Sequence, residues 1–418
     1  MEKEIIKRLI AEKQLEIPQI ELIERSHQLE PSANYVFIGL RRAGKSYLIY
    51  QLIHEGIRNG TLKMEDILYI NFEDERITSI KAENLGVILD AYKEMYDVKP
   101  TLFLDEIQNI TGWEKFVRRL ADSHYKVYVT GSNARMLSKE IYTTLGGRFI
   151  AHEVFPFSFG EYLRYLQIDL KKNWEYTDTR IQVKKLFGIY FYYGGFAECF
   201  SMHDKRGWLN SIYHKILLGD IITRNDIRNE NAIRVLVKKI AESVMQPISL
   251  ARLKNFVDST GITISRNTLV DYLQYLVDSY LIFGVSNFSD KLSEKETFRK
   301  RYFFDNGLLN NFLFDPETKL LENMVAIQLK KKFGDDVFFY NKNIEVDFYL
   351  PKAKMAIQVA FDIANDATRQ REVKALLKLS EVYEIKSNTI ITYDTETVLN
   401  ENETEIRVVP VWKWLLQS

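Results

Sequence analysis

The sequence predicts an α/β protein that opens with a parallel sheet covered by helices on both faces. Three observations carry this reading. From Tyr35 to about Phe157, short apolar strand-like runs alternate with helical stretches. Gly39-Leu40-Arg41-Arg42-Ala43-Gly44-Lys45-Ser46 fits G-x-x-x-x-G-K-[ST], a phosphate-binding loop between strand and helix. A later apolar run, Leu102-Phe103-Leu104, ends in Asp105-Glu106.

The elements follow in order. Residues 1 to about 30 read as a charged helical lead-in. Tyr35-Val36-Phe37-Ile38 reads as a buried strand and Tyr47 to Ile53 as the start of a helix. Between them, Gly39 and Gly44 permit backbone angles and close approach that a Cβ would block. Amide N–H groups at the start of a helix, with the helix dipole behind them, favour an anion. Lys45 can reach the outer phosphates and Ser46 can offer its hydroxyl to Mg²⁺. The expected nucleotide-binding set runs through Gly39, Leu40, Arg41, Arg42, Ala43, Gly44, Lys45, Ser46 and Tyr47. Arg41 and Arg42 are alternatively candidates for contact with a neighbouring subunit or a lid.

Further strands are expected at Ile67–Phe72, at Thr101–Leu104 and at Lys126–Thr130. Asp105, at the end of its strand, is placed to hold Mg²⁺ through water, and Glu106 to orient or deprotonate the attacking water. Burial alone gives no reason for two adjacent carboxylates there. The next strand ends in Thr130-Gly131-Ser132-Asn133. Ser132 and Asn133 are candidates to sense the γ-phosphate, Asn133 for its longer reach; the plain alternative is a polar turn. Arg148, after Gly146-Gly147, is either a cation for a phosphate, in its own chain or a neighbour's, or a surface arginine.

The bulk numbers bound the rest. A chain of 418 residues exceeds one ordinary core, so several domains are expected. They are read as a phosphate-loop domain with its lead-in (1–165), a helical lid region (166–245), a winged-helix-like module (246–300) and a C-terminal α/β domain (301–418). Formal net charge is zero, so nothing global marks a nucleic-acid binder. The single cysteine, Cys199, excludes an internal disulfide. No apolar run has the length of a membrane span, and the N-terminus lacks a signal-peptide core; a cytoplasmic protein without a membrane partner is expected. Guanine recognition by N-K-x-D has its nearest counterpart at Asn341-Lys342-Asn343-Ile344, with isoleucine in place of the acid, so ATP is the expected nucleotide.

Together GLRRAGKS, LFLDEIQNITGWEKF, VYVTGSNARML, LGGRF and FPFSFGEYL, with YYGGFAE and YFFDNGLLNNF further along, resemble a large prokaryotic group of AAA-type ATPases with STAND-like features. The resemblance covers nearly the whole chain. It implies ATP bound at Gly39–Ser46, Mg²⁺ and water handled by Asp105 and Glu106, a winged helix, and a C-terminal domain like the restriction-endonuclease (PD-(D/E)XK) folds.

In such nucleases a helix Glu, a strand Asp and an E-x-K strand bind Mg²⁺ and position water. Glu322 fits the helix acid, with Leu321, Val325 and Leu329 spaced for a buried face, and Asp347 fits the strand acid. On the next strand, however, Gln358 stands where a carboxylate is needed and Ala360 where the lysine is needed. Lys352 or Lys354 could migrate in, but both read as turn residues. This centre therefore reads as lapsed.

In the winged-helix-like segment, Leu250, Leu253 and Val257 pattern one helix. Leu269, Leu273, Leu276 and Val277 pattern a second, N-capped by Ser265. Residues 266–280 carry Arg266 against Asp271 and Asp278, a weak set for reading bases. Arg299-Lys300-Arg301 and Lys330-Lys331-Lys332 are candidate phosphate contacts or solvated surface. The leading expectation is an Mg²⁺-dependent ATPase acting as switch or motor. The alternatives are a non-enzymatic DNA- or protein-binding module with structural ATP, and an Mg²⁺-dependent nuclease. DNA, a protein or a second copy of the chain are the candidate partners.

Overall fold

The computed structural model describes residues 2–131 and 144–417. The chain divides into two compact units, Met1–Phe155 and Pro156–Ser418.

In the first unit, among the described residues, a five-stranded sheet is built from β1 (Asn34–Ile38), β2 (Ile67–Asn71), β3 (Thr101–Asp105), β4 (Lys126–Gly131) and β5 (Phe149–Glu153). Its order is β2-β3-β4-β1-β5, with every neighbouring pair parallel. The four strands read from the sequence are present within a residue or so at each end. β5 is an addition; only its first residue is buried and the next two are exposed. An edge strand of this kind has no apolar alternation to reveal it. Parallel strands require crossovers, and Lys45–Arg58, Gly86–Lys93 and Glu114–Asp122 supply helices between them. Stacked rings of Tyr35, Phe37, Phe103 and Tyr128 cover part of the sheet across β1, β3 and β4. Helix Glu114–Asp122 buries Phe116, Val117 and Leu120 at helical spacing.

The second unit begins helical, as expected, with Phe159–Tyr165, Asp178–Tyr193, Lys205–Lys215 and Glu230–Glu242. After these come β6 (Ile248–Ser249), helices Leu250–Ser259 and Arg266–Asp278, then β7 (Ile282–Asn287) and β8 (Phe298–Phe303). Ser265 caps the second helix, its Oγ accepting from the Thr268 N–H at 3.0 Å. Val277 is 38% exposed and stands off the buried face formed by Leu269, Leu273 and Leu276.

Helix Glu317–Phe333 leads into β9 (Phe338–Asn341), β10 (Glu345–Leu350) and β11 (Met355–Val359). Helix Asp366–Val382, β12 (Ser387–Thr392), β13 (Thr397–Glu401) and β14 (Thr404–Pro410) complete the chain before a last helix, Val411–Gln417. All of β6 to β14 lie in one nine-stranded sheet, ordered β13-β14-β12-β11-β10-β9-β7-β8-β6. The join is β7 to β9, parallel, with Ser286 opposite Phe338 and Asn287 opposite Phe339. The boundary drawn between residues 300 and 301 therefore falls inside β8, because backbone ladder bonds run across it.

Among the described residues, no helix is long and apolar enough to cross a membrane.

Candidate functional site

The Gly39–Ser46 loop leaves the C-terminal end of β1 and enters helix Lys45–Arg58. Gly39 has φ +144°, and a Cβ there would lie 2.2 Å from the Val154 carbonyl oxygen. Gly44 has φ +93° and φ is also positive at Arg42. Two left-handed residues close together turn the chain sharply into the helix start, the kind of backbone that can form an anion-binding concavity. Leu40 and Ala43 are buried and hold the loop to the core.

The Lys45 side chain is 4% exposed and bends back over the loop. Its Nζ donates to the Gly39 carbonyl at 3.2 Å and the Leu40 carbonyl at 3.1 Å. Ser46 follows on the first turn of the helix. Tyr47 is 56% exposed, with its ring edge-on to Tyr50. Arg41 pairs with Glu73 at 3.7 Å.

A brace under the loop escaped sequence reading. Arg25 donates through Nη1 to the Ala43 carbonyl at 2.9 Å and through Nη2 to the Phe155 carbonyl at 2.6 Å. Gln51 holds the Arg25 backbone in turn, accepting from its N–H and donating to its carbonyl, each at 2.9 Å. Nothing about a lone arginine in an irregular lead-in marks it as a brace.

Asp105 ends β3, two strands from β1, and is buried. Tyr69 on β2 donates its hydroxyl to Asp105 Oδ2 at 2.5 Å, and Thr130 on β4 donates to Oδ1. The parallel register explains this: Asn71 lies opposite Asp105, and Leu104 opposite Val129, so the three strand tips meet. Glu106 sits in the left-handed region with φ +52°, and its N–H donates to Thr130 Oγ1 at 2.8 Å. Gln108 donates to Glu106 Oε2. Burial pushes the Glu106 carboxyl above its ordinary value; Lys45 pulls it back and Asp105 pushes it further up. A strained backbone and a raised carboxyl beside a lysine are the kind of features that cluster at reactive centres.

In the sequence Thr130 is only the end of an apolar strand. It joins the two acids, and the one available signal was its position beside Asp105 on the neighbouring strand tip. Ser132 and Asn133 lie outside the described residues.

Of the readings open for Arg148, the register removes the one within its own chain. Arg148 directly precedes β5, whose first residue Phe149 is level with Asn34 at the start of β1, whereas the loop leaves β1 beyond Ile38. Its Nε meets Asp122 at 2.5 Å. The parallel register thus puts Arg148 at the end of the sheet opposite the loop, out of reach of phosphates held in the same chain.

The second unit brings together Glu322 and Asp347, as sequence reading anticipated, around a residue it did not anticipate. Lys300, with no solvent exposure, places Nζ 3.3 Å from Glu322, 3.3 Å from Glu345 and 3.0 Å from Asp347. Tyr302, two residues on and so on the same face of β8, donates to Glu322 Oε1 at 2.7 Å. Gln358 accepts from the Asp347 N–H at 2.8 Å and donates to the Glu345 carbonyl at 3.0 Å.

Burial opposes the charge on Lys300, but the three carboxylates together hold it protonated above its ordinary range. Burial pushes Glu322 up to about 7, against the pull of Lys300. Lys352 and Lys354 stay outside, paired with Asp336 and Glu384.

The basic trio at 299–301 is therefore no exposed wing. Arg299 pairs with Glu296, Lys300 points into the cluster, and buried Arg301 donates to the Ile248 carbonyl at 3.1 Å. In the second trio, Lys330 meets Asp335 and Lys331 meets the buried Glu161. Asn341-Lys342-Asn343-Ile344 forms the end of β9 and the turn into β10 in this second unit.

Comparison with known proteins places these features. A family described as an AAA domain matches residues 32–163, and a domain of unknown function (DUF8612) matches 184–319. An uncharacterized protein of Methanocaldococcus jannaschii, MJ1544, is 34% identical over 93% of this chain and 89% of its own. An uncharacterized protein of Haemophilus influenzae is 29% identical over 91% of this chain and 94% of its own. Among solved structures, the Walker-type ATPase PABY2304 of Pyrococcus abyssi aligns with a TM-score of 0.39 at 15% identity, covering 74% of this chain and 95% of that one. AMPPCP-bound DnaA from Aquifex aeolicus aligns with a TM-score of 0.26 at 14% identity, covering 65% and 86%. The five-stranded parallel sheet and the AAA match together make the first unit a P-loop NTPase fold of AAA type.

Proposed function

The chain belongs to the family of the M. jannaschii protein MJ1544, and from that premise we propose that it is an Mg²⁺-dependent ATPase working as a switch or motor. One observation carries the reading: a buried lysine lies over a glycine-bounded loop, and two neighbouring strand tips hold an aspartate and a glutamate fixed by one threonine.

In this reading the loop amides and Lys45 take the phosphates, with Gly39 to Tyr47 forming the cradle. Asp105, oriented by Tyr69 and Thr130, and Ser46 would hold Mg²⁺, which when bound would offset negative charge on the phosphates. Glu106 accepts the proton of the attacking water, and a carboxyl raised by burial is the stronger base. Asn133 senses the γ-phosphate. Arg148 contributes only to a neighbouring copy's site. Turnover then moves residues 166–245 as a lid, with a winged helix from 246 that ends in β8 and a degenerate PD-(D/E)XK-like domain after it in the same sheet. Helices Leu250–Ser259 and Arg266–Asp278 followed by the β7–β8 hairpin support the winged-helix assignment. The order helix, β9, β10, β11, helix, β12 with Glu322 and Asp347 adjacent supports the second. Gln358 and Ala360 argue against cleavage there.

The test is ATP turnover with and without Mg²⁺, and with and without duplex and single-stranded DNA. Lys45→Ala should reduce ATP affinity by roughly a hundredfold or more; unchanged affinity refutes the site. Stimulation by DNA identifies the partner class. Tight ATP binding without turnover under every condition would instead favour a binding module with ATP as a structural ligand.

A further inference from the structure

The carboxylate centre of the second unit is built from three separate elements: Glu322 on helix Glu317–Phe333, and Glu345 and Asp347 on β10, with Lys300 arriving from β8. An ordinary ion pair matches one charge with one. Here three carboxyl groups surround a single ammonium, a set of oxygens that also suits a cation of higher valence. We propose that Lys300 is a built-in cation that fills this centre and keeps it closed to divalent metal.

The geometry fits an ammonium and not a metal. Mg²⁺ requires oxygens at about 2.0–2.1 Å and Ca²⁺ at about 2.3–2.6 Å. The three carboxylates stand 3.0–3.3 Å from Nζ, the distance of N–H···O bonds. Seating a metal at that point would require expelling a lysine with no exposed surface. The surroundings are set for the lysine as well. Asp347 Oδ2 accepts from the Val359 N–H at 3.0 Å, which turns Oδ1 toward Lys300. Gln358 uses both ends of its amide on the β10 backbone; a carboxylate in its place would lose the donor to the Glu345 carbonyl. Tyr302 uses its hydroxyl on the same Glu322 oxygen that faces Lys300.

One atom reports what the lysine leaves undone. Glu322 Oε2 is buried without a hydrogen-bond partner. Lys300 donates to Glu322 and Asp347 and is ion-paired with Glu345; a divalent ion could engage more oxygens. With the amine removed, the same side chains would present an anionic cavity with one oxygen already unpaired. The proposal is independent of the ATP site, since all its residues lie in the second unit.

The experiment titrates the nucleotide-free full chain with Mn²⁺ and follows free Mn²⁺ by electron paramagnetic resonance. Wild type and Asp347→Asn should take up Mn²⁺ equally. Lys300→Met should gain a site at least about tenfold tighter than anything in wild type, and Lys300→Met combined with Glu322→Gln should lose it. Wild-type uptake that Asp347→Asn removes would overturn the proposal, as would a folded Lys300→Met that gains nothing. If Lys300→Met does not fold alone, Mn²⁺ should restore its melting transition, and failure to do so counts against the proposal. The comparison of wild type with Asp347→Asn decides in either case.

Discussion

Lys45 in the first unit and Lys300 in the second are both almost wholly buried, and the groups that hold them differ in kind. Lys45 donates to two backbone carbonyls of its own loop, which carry only partial charge; in the proposed function phosphate oxygens replace them. Lys300 is held by the carboxyl groups of Glu322, Glu345 and Asp347, with the Tyr302 hydroxyl sharing Glu322 Oε1. Each lysine has a glutamate nearby whose pKa is raised by loss of solvation, the partly buried Glu106 and the buried Glu322. The same pair of residue types therefore makes a site poised for a ligand in one place and a finished internal contact in the other. The difference lies in how many charges of opposite sign the fold has already supplied.

The comparison breaks most visibly at the glutamates and lysines themselves. Glu106→Gln should keep ATP affinity and lower turnover by about 10²- to 10⁴-fold, the usual worth of a general base; steady-state ATPase kinetics beside a nucleotide titration give both numbers. Full turnover in that variant would remove Glu106 from its role. Lys300→Ala should leave ATP affinity alone and destabilise the protein by about 3–5 kcal/mol, because it leaves the buried Glu322 and the partly buried Asp347 without their counter-ion. Denaturant unfolding reads this directly, and a loss below about 1 kcal/mol would mean that the cluster is not the closed contact described.

Thr130→Val should cost about 1–3 kcal/mol, since the Glu106 amide and one Asp105 oxygen each lose a partner. Turnover should fall with stability, in contrast to Glu106→Gln, where only turnover falls. The smallest effect concerns pH. Glu322 has its folded pKa raised to about 7, above the ordinary carboxylate value. A raised carboxyl contributes stability below its unfolded pKa, and that contribution is lost as pH rises through the folded value. Thermal stability should therefore decline between about pH 5 and 7 in wild type, and Glu322→Gln should flatten that slope. An unchanged slope would place the titration elsewhere.

The first unit was legible because its chemistry is local. A phosphate-binding loop is eight consecutive residues, and the acids end an apolar run, so both are visible without knowing which strands are neighbours. What escaped was everything set by register. Thr130 matters because β4 lies beside β3 with its tip level with Asp105. Arg148 fails to reach its own loop because β5 runs parallel to β1 and begins at the far end. The anticipated acids of the second unit, Glu322 and Asp347, do meet. Their lysine was missed because it comes from an earlier strand, inside a run of three basic residues that reads as surface. Alternation along β8 sends Lys300 and Tyr302 to one face and Arg301 to the other, but that reading requires knowing both faces of the strand are covered.

The single sheet of the second unit has a practical consequence for anyone who shortens this protein. A chain ended after residue 300 would cut β8 in half, remove β9 from the side of β7, and take away every carboxylate that neutralises Lys300. It would offer a raw strand edge and an uncompensated buried charge at once, the conditions under which chains pair with one another instead of folding. Cutting near residue 155 severs no ladder bond of either sheet. That is where the gene should be divided if the two halves are to be purified apart.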